Sequence, residues 1–397
     1  MRAVVYRGVN NLRLETVPVP RIGANELLVK VAVCGVCPTD IKKIHYGTVP
    51  PPRIFGHETA GTIVKIGAGS SEIHNFKIGD RVALHHHVPC GDCHFCRHRA
   101  FAQCATYKRT GITAGFEPAG GGYAEYIRVM PFVLPGVVQI PAKNSFAEGA
   151  MLEPVNTVLK AVKRLNLLPG DNVLVAGQGP IGLMFTKILQ LAHINVLATD
   201  LLESRLKLAK KFGARWVGRG SPLRADIAGR AGQSSARRGA HGVTRPTVSA
   251  FRFPLSAFPL DAAIIAVPSD AAVTQAFQLV RGGGQVLLFA HTKRAAQYGR
   301  TEMPLRQDAR QRDPADNDLQ PSAFSLDLAS ICLDEKDLIG SYSSDCTLQA
   351  EVARLVFSRR LDVRQLITHT FPLEQTAAAV ALAAKPTGES LKIIVSP

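Results

Sequence analysis

The eight cysteines of this chain follow a pattern that sharply restricts what the chain can fold into. Four of them fall within fifteen residues and are spaced C-x2-C-x2-C-x7-C: Cys90, Cys93, Cys96 and Cys104. Four thiolates at this spacing can close a tetrahedron around one zinc ion and leave no position for a substrate. The pattern therefore predicts a lobe, at about residues 88–106, that folds around a structural metal.

A second, looser set of metal-ligating residue types lies outside that lobe. Cys37 stands twenty residues before His57 and Glu58, and Glu153 lies far downstream. A thiolate, an imidazole and one carboxylate, from Glu58 or Glu153, suit a zinc site that keeps a position free and acts as a Lewis acid. Thr39 is a candidate for carrying a hydroxyl proton outward. Taken singly, Cys37 and His57 would more often be a core thiol and a loop histidine.

Length and composition place the chain among globular proteins of two domains. It has 397 residues, of which 46% are hydrophobic and 20% charged. The first residues show no apolar segment before a cleavage site, and no apolar run is long enough to span a bilayer. Cysteines in metal-like settings fit a reducing compartment better than a disulfide framework. We therefore expect a soluble cytoplasmic protein without a membrane partner.

The net charge of +16 raises the question of a nucleic-acid partner. Most of the excess falls in two segments: residues 219–252 carry seven arginines and one aspartate, and residues 293–312 carry six basic and two acidic residues. Neither segment alternates its bases with aromatic residues in the manner of single-strand binding surfaces. We interpret both as solvated loops and expect no nucleic-acid partner, with a basic tether as the alternative.

The order of elements changes near residue 150. Residues 1–85 are rich in short strand-like runs, whereas the region after 150 alternates buried strands with amphipathic helices. Such alternation predicts a doubly wound parallel sheet in an α/β fold. A helix at Leu348–Ser358 and a strand near Ser390–Val395 are expected to return to the N-terminal part. The predicted helices and strands of the parallel region are 156–166, 172–177, 181–191, 195–200, 203–212, 216–217, 262–267, 285–290 and 338–342.

A glycine-rich run joins the first of these parallel strands to its helix. It reads G-x-G-x-x-G, with Gly177, Gly179, Pro180, Ile181 and Gly182. The first glycine permits a tight turn, the second lets the backbone approach a pyrophosphate, and the third lets helix and strand pack closely. The amide groups at the helix N-terminus then face the phosphates. The motif in this context predicts a dinucleotide site.

The choice of dinucleotide is predicted from the end of the next strand. Asp200 ends that strand, eighteen residues past Gly182. A carboxylate there accepts hydrogen bonds from ribose hydroxyls and repels a 2′-phosphate, which favours NAD over NADP. Arg205 lies about one helical turn further and is either a contact on the ribose or adenine side or a plain surface arginine.

Several of these motifs together resemble the zinc-containing medium-chain alcohol dehydrogenase family. Gly56-His57-Glu58-Thr-Ala-Gly61 resembles its signature, Cys37-Pro38-Thr39-Asp40 its first catalytic ligand with a relay hydroxyl, and the four-cysteine spacing its structural zinc lobe. Met151-Leu-Glu153-Pro154-Val155-Asn156 resembles the branch of sorbitol and threonine dehydrogenases, in which glutamate replaces a cysteine ligand. The likeness covers most of residues 1–218, 261–292 and 325–397.

The resemblance implies a domain plan and an activity. The plan is a GroES-like, β-rich catalytic domain over residues 1–155, a Rossmann NAD-binding domain over 156–344, and a return to the catalytic domain over 345–397. The implied activity is NAD-dependent oxidation of a secondary alcohol, a polyol, sugar alcohol or amino alcohol such as L-threonine, by a homodimer or homotetramer. Thr157 would lie against the nicotinamide, and Cys37, His57, Glu58 and Glu153 would be the catalytic zinc residues.

The sequence departs from this family in three places. Lys42 stands where many relatives carry a relay histidine, so that water or His45 would have to carry the proton. The other departures are irregular stretches at about 219–257 and 294–324, which we interpret as disordered insertions or as miscoded stretches of a GC-rich gene. A non-catalytic descendant that binds zinc and nucleotide is therefore the alternative to a working dehydrogenase.

Overall fold

The computed structural model describes residues 1–69, 75–85, 87–108, 120–219, 259–290 and 327–397. Within them, three sheets are present: a small one of three strands, a mixed one of seven and a parallel one of six. The predicted combination of a β-rich unit with a doubly wound parallel sheet is confirmed. The irregular stretches predicted at 219–257 and 294–324 lie, apart from Arg219, outside the described residues.

The strands of the first 140 residues and those of the C-terminus share one sheet. Its order is β15-β16-β3-β5-β6-β8, with β7 pairing to β3. The strands β2-β1-β4 form a separate sheet that shares a hydrophobic core with it. The C-terminal strand β16 pairs antiparallel with β3, so the end of the chain lies beside its first long strand. The strand bounds are β1 Arg2–Gly8, β2 Asn11–Thr16, β3 Leu27–Gly35, β4 Arg53–Ile54, β5 Glu58–Ile66, β6 Arg81–Leu84, β7 Tyr126–Val129, β8 Val137–Gln139, β15 Ile367–Pro372 and β16 Lys392–Ser396.

The parallel sheet has the strand order β11-β10-β9-β12-β13-β14, so the chain reverses direction of winding beside β9. All five pairings in it are parallel. In such sheets ligands bind at the carboxyl edge, where the winding reverses. The strand bounds are β9 Asn172–Ala176, β10 Asn195–Asp200, β11 Trp216–Arg219, β12 Leu260–Ile265, β13 Val280–Leu288 and β14 Asp337–Gly340.

Helices flank the large sheets. Two short α-helices, α2 and α3, and one 3₁₀ turn belong to the cysteine lobe. The α-helices are α1 Pro38–Tyr46, α2 His94–Arg97, α3 Ala105–Lys108, α4 Phe146–Ala150, α5 Leu152–Val162, α6 Pro180–Leu191, α7 Glu203–Lys211, α8 Asp270–Leu279, α9 Leu328–Leu333, α10 Gln349–Phe357 and α11 Thr376–Ala384. Five 3₁₀ turns lie at Phe101–Gln103, Pro131–Gly136, Cys346–Leu348, Val363–Leu366 and Leu373–Gln375.

The largest difference from the predicted elements concerns α5. The apolar periodicity predicted a helix over 156–166, but the helix runs from Leu152 to Val162. Pro154 is accommodated because it stands in the first turn, where a backbone N–H has no intrahelical partner. The last three strands also begin two, five and one residues earlier than predicted, because pairing with a neighbour, and not the apolar run alone, sets where a strand begins.

The main core lies between the two large sheets and is centred on α5. Its buried side chains come from α5 and α6, from strands β9 and β10, and from Ala60 and Ala83 of the N-terminal sheet. Val155, Val158 and Ala161 on α5 are fully buried there. One helix therefore touches both sheets, and it fixes the distance between the groups that each sheet carries. Among the described helices, none is both long and apolar enough to cross a membrane.

Candidate active site

The pairing of β3 with β5 brings Cys37, His57 and Glu58 together. In that antiparallel pair Gly35 stands opposite Glu58, so the chain leaves β3 beside the point where it enters β5. Cys37 follows two residues later at the N-cap of α1, and His57 immediately precedes β5. Residues twenty positions apart in sequence thus meet at one end of the sheet.

The three side chains form a compact group of metal donors. Cys37 Sγ, a ring nitrogen of His57 and a carboxylate oxygen of Glu58 all lie within 4.8 Å of one another. His57 and Glu58 are buried, and Cys37 is partly exposed. Sulfur, nitrogen and oxygen donors converging beside an accessible thiolate fit a zinc site with an open position.

Asp40 holds the histidine of this group. Its carboxylate is fully buried and lies 3.2 Å from His57 Nδ1. Burial opposes a charge on His57, but Asp40 and Cys37 outweigh burial and raise its pKa well above the usual value. The contact fixes the ring and leaves Nε2 as its second nitrogen.

Lys392 reaches the same group from the C-terminal strand. Because Ile394 pairs with Gly35, Lys392 lies level with Cys37, and its ammonium donates to Glu58 Oε1 at 2.5 Å and to Val36 O at 3.0 Å. Both Lys392 and Glu58 are buried. The sequence analysis missed Lys392. The signal that could have found it is a lysine inside an otherwise apolar strand, which needs a counter-ion.

Glu153 stands beside this group on the first turn of α5, although it does not belong to the compact set of three donors. It is buried, and burial raises the pKa of its carboxyl to about 7, with His57 and Lys392 opposing that shift and Glu58 adding to it. A cation bound beside this buried carboxyl would favour its ionised form and lower its pKa.

The proton-carrying candidates lie on α1. Thr39 is partly buried in the first turn of that helix, directly after the Cys37 cap. Lys42 is one turn further, and burial lowers its pKa, with Cys37 opposing that shift. His45 contacts the side-chain oxygen of Asn10 through Nδ1. Thr39 is therefore nearer to Cys37 along the helix than Lys42 or His45.

The four cysteines of the lobe converge as well. Their sulfurs lie within 4.8 Å of one another, with 3.9 Å between Cys90 and Cys96, 3.5 Å between Cys93 and Cys96, and 3.7 Å between Cys104 and Cys90. Four sulfurs about 2.3 Å from a tetrahedral zinc ion would be about 3.8 Å apart. The spacing in the structure fits that geometry without rearrangement.

The glycine loop lies at the carboxyl end of β9 and opens α6. Gly177 has a φ of +93°, in the left-handed region that glycine adopts readily. A Cβ atom on Gly179 would meet nothing within 4 Å, whereas one on Gly182 would lie 1.7 Å from the carbonyl oxygen of Gly177. The open face at Gly179 leaves room for a phosphate at the helix N-terminus, and Gly182 permits the close helix–strand contact. Pro180 and Ile181 form the first turn of α6.

Asp200 ties this loop to the neighbouring strand. Its carboxylate accepts the N–H of Gln178 at 2.7 Å and the N–H of Leu202 at 2.9 Å. Arg205 Nη1 lies 3.9 Å from the same carboxylate, and the arginine side chain is only 14% exposed. The structure thus places Arg205 beside Asp200 and the loop, and not on the open surface.

Helix α5 connects the two groups of residues. It begins with Glu153 beside the zinc-type donors and packs along α6, which the glycine loop opens. Thr157 lies one turn past Glu153, and its hydroxyl donates to the carbonyl of Pro154 at 2.7 Å. The donor group and the helix that the glycine loop opens therefore both lie beside α5.

Two further side chains near the donors were not singled out from the sequence. The rings of His57 and His87 are 6.4 Å apart, and His87 stacks on Tyr107 at 4.5 Å. The structure buries His85 against Ser344 and places His87 beside the donor group. A run of histidines carries no spacing signal, so only the tertiary contact shows this.

Comparison with protein families and curated proteins gives consistent results. Residues 23–142 match the alcohol dehydrogenase GroES-like domain. Over its whole length the chain is 28% identical to sorbitol dehydrogenase of Bacillus subtilis strain 168, with 97% of that protein covered. Over 205 residues it is 35% identical to L-threonine 3-dehydrogenase of Escherichia coli K12, with 50% of this chain and 56% of that protein covered.

Comparison with solved structures shows the same fold. An alcohol dehydrogenase from Escherichia coli CFT073, complexed with the cofactor NADH, superposes with a TM-score of 0.75. The match covers 100% of this chain and 99% of that one, at 23% identity. At this identity the likeness shows the two-unit architecture and nothing finer.

Proposed function

We propose that this chain, which is similar to the zinc-dependent medium-chain alcohol dehydrogenases, oxidises a secondary alcohol with NAD as the acceptor. Its relatives act on sorbitol and L-threonine, so the proposed substrate is a polyol, a sugar alcohol or an amino alcohol. The observation that carries the proposal is the convergence of Cys37, His57 and Glu58 on one buried point.

The family's cofactors are zinc and NAD, and the residues present fit both. We propose that Cys37, His57 and Glu58 hold the catalytic zinc, with Glu153 as an additional buried carboxylate beside it. When bound, the zinc polarises the alcohol oxygen as a Lewis acid, and NAD accepts the hydride. The cysteine lobe would hold a second zinc ion with all four positions occupied by protein.

The remaining residues orient groups and move the proton. Asp40 holds Nδ1 of His57 and thereby fixes the ring. Lys392 neutralises Glu58, which limits the negative charge of the donor group. Thr39 would pass the alcohol proton toward solvent from its position beside Cys37, so that proton and hydride leave the substrate by different routes.

The coenzyme site would use the glycine loop and Asp200. The open face at Gly179 and the first turn of α6, with Pro180 and Ile181, would receive the pyrophosphate. Asp200 would bind the adenosine ribose and reject a 2′-phosphate, and Arg205 would contact the same side. Thr157, on the helix that also carries Glu153, would lie against the nicotinamide.

The domain plan and the assembly complete the proposal. The two large sheets correspond to a catalytic unit over 1–155 and 345–397 and a coenzyme unit over 156–344, and pairing of β16 with β3 supports that division. By family likeness we propose a homodimer or homotetramer. Light scattering of the purified protein would give the mass directly.

A non-catalytic descendant is not favoured as an alternative. Such a protein would be expected to lose its metal donors or its glycine loop, and both sets of residues are present and brought together in the fold. The described part of the parallel sheet has six strands, in the order β11-β10-β9-β12-β13-β14.

The test is a turnover assay on zinc-replete protein with NAD and, separately, NADP, across polyols, simple secondary alcohols and L-threonine. We expect reduction of NAD with one of the polyol or amino-alcohol substrates and far slower reduction of NADP. Replacing Asp200 with Gly should lower kcat/KM for NAD about tenfold or more and narrow the gap to NADP. Absence of turnover with every alcohol, in protein that binds NAD, would contradict the proposed activity.

A further inference from the structure

Residues 340–345, here called the bridging loop, leave β14 at the carboxyl edge of the parallel sheet. The glycine loop follows β9 at the same edge, and Asp200 ends β10 on the side away from β14. Because the ribose carboxylate marks the adenosine half of the cleft, the bridging loop lies at the other half, toward the catalytic donors. The position of this loop therefore matters for the reacting end of a bound dinucleotide.

Helix α5 holds one side of the bridging loop. Asn156 makes a two-way contact with Asp345: its Nδ2 donates to the backbone carbonyl at 2.9 Å, and its Oδ1 accepts the backbone N–H at 2.8 Å. Lys160 Nζ donates to the carbonyl of Tyr342 at 2.8 Å, and Arg164 reaches the carbonyl of Gly340. Asn156 and Lys160 are four residues apart and lie on one face of the helix that begins beside Glu153, and Arg164 follows in the turn after that helix ends at Val162.

The cysteine lobe holds the other side through one hydroxyl. Tyr107, three residues past Cys104, has its oxygen 2.6 Å from Ser343 Oγ and 3.0 Å from the carbonyl of Ser344, and it accepts the Ser344 N–H at 3.1 Å. Ser344 Oγ in turn lies 3.2 Å from His85 Nε2. The tyrosine is 2% exposed, so these contacts replace the water that would otherwise bind its hydroxyl.

The backbone of the bridging loop is strained at the point where Tyr107 meets it. Ser343 has a φ of +60°, in the left-handed region that residues with a side chain rarely adopt. Such a conformation persists only where surrounding contacts impose it. Tyr107 is also linked to the donor group, because His87 stacks on its ring at 4.5 Å and faces His57.

We propose that Tyr107 is a positioning residue that couples the cysteine lobe to the bridging loop and so sets the reacting end of the coenzyme cleft. The proposal rests on the dehydrogenase function given above. It assigns the cysteine lobe a role beyond local stability, because Tyr107 carries hydrogen bonds from the core of the lobe to the bridging loop.

The test compares Tyr107→Phe, which keeps the ring stacked on His87 and removes only the hydroxyl, with zinc-replete wild type. Ser343→Ala removes one partner of the hydroxyl from the loop side and serves if the first variant does not fold. Tyr6→Phe is the matched control, since Tyr6 is a fully buried tyrosine in the N-terminal cluster, away from the loop. Zinc content is measured first and should stay at the wild-type level in all three variants.

Two readouts decide the outcome. Backbone amides of 340–345 in the substrate-free protein should exchange with deuterium about tenfold faster in Tyr107→Phe and Ser343→Ala, with the N-terminal sheet unchanged. The KM for NAD should rise about tenfold while kcat at saturating NAD changes less than threefold. Exchange in the loop equal to that of Tyr6→Phe, or faster exchange spread over the whole protein, would overturn the proposal. Lack of turnover in wild type would count against the proposed function, and the exchange readout would still decide the role of Tyr107.

Discussion

At the scale of single residues, the negative charge of Glu58 in the donor group is paired with one lysine, Lys392. Glu58 and Lys392 are both buried, and each carries a charge that water cannot reach. Their attraction offsets the cost of burial only while both are present. Lys392 comes from the opposite end of the chain and pairs with a residue that it does not neighbour in sequence. The charge state of the site is therefore a tertiary property.

We expect Lys392→Met to destabilise the protein by about 3 kcal/mol or more, because it leaves Glu58 buried without a counter-ion. Thermal unfolding of zinc-depleted protein measures the effect without compensation from the metal. The double variant Lys392→Met with Glu58→Gln should recover much of the loss. Lys385→Met removes an exposed lysine and should change little; a loss no larger than this control's would contradict the ion-pair argument.

At the scale of elements, two glycines of the glycine loop have different surroundings. Gly179 faces open space with an ordinary φ of −67°, whereas Gly182 touches the backbone of Gly177. Gly179 leaves room for a ligand, and Gly182 permits close packing. The motif predicts these separate roles, and the structure shows what a Cβ atom would meet at each position.

A matched pair of alanine substitutions tests this distinction. Gly179→Ala should leave the melting temperature near that of wild type but raise the dissociation constant for NAD about tenfold or more, since the methyl group occupies the phosphate face. Gly182→Ala should destabilise the protein by about 1–3 kcal/mol, because helix and loop must separate. Calorimetry gives both quantities. Equal effects of the two variants on stability would refute the assignment.

Helix α4 offers a second prediction, on pH. Glu148 closes a capping box with Ser145, and it is 1% exposed. Burial opposes its ionisation, but hydrogen bonds from Arg359, Ser145 and Asn144 prevail and lower its pKa to about 2. A carboxylate with a depressed pKa stabilises the fold above its unfolded pKa of about 4.3. That contribution is lost as the pH falls from about 4.5 toward 2.

Glu148→Gln should therefore be less stable than wild type by about 3 kcal/mol at pH 7, and the difference should shrink as the pH falls to 2. Denaturant titrations of both proteins at several pH values give the difference. Loss of zinc in acid affects both proteins alike and cancels in that difference. The exposed Glu389, changed to Gln, is the control. A difference in unfolding free energy that stays constant with pH would show that ionisation of Glu148 does not stabilise the fold.

At the scale of the whole molecule, the two metal sites differ in what supports them. The lobe has a small core of its own, formed by Cys96, Ala102, Cys104 and Tyr107. The donors around Cys37 stand at the end of a sheet that is packed on two large clusters. With so little apolar contact, the lobe is expected to depend on a bound metal to fold, whereas the sheet is not.

We expect Cys93→Ser and Cys37→Ser each to lower the zinc content from two ions per chain to about one. Cys93→Ser should also lower the melting temperature by several degrees, because the lobe loses its structural ion. Cys37→Ser should abolish turnover while leaving the melting temperature close to that of wild type. Cys332→Ser, at an exposed cysteine, should keep both ions. Equal melting temperatures for the first two variants would contradict the division into structural and catalytic sites.

The sequence by itself determined the features that depend on local spacing. The four-cysteine pattern, the glycine loop between strand and helix, and the alternation of β10 with its flanking helices are set by periodicity and by particular residue types at a fixed spacing. The bounds of β10 matched the prediction at both ends, because its apolar run ends where its pairing ends. The bounds of α5 did not match, because a proline is accepted in its first turn.

Only the tertiary structure decided which distant groups share one environment. The β3–β5 register joined Cys37 to His57, the β16–β3 register added Lys392, and burial placed Asp40 on His57. The bridging loop and its contacts from α5 and Tyr107 had no local signal at all. These contacts join residues from 17 positions apart, for Asp40 and His57, to 334 positions apart, for Glu58 and Lys392, and no short pattern in the chain encodes that proximity.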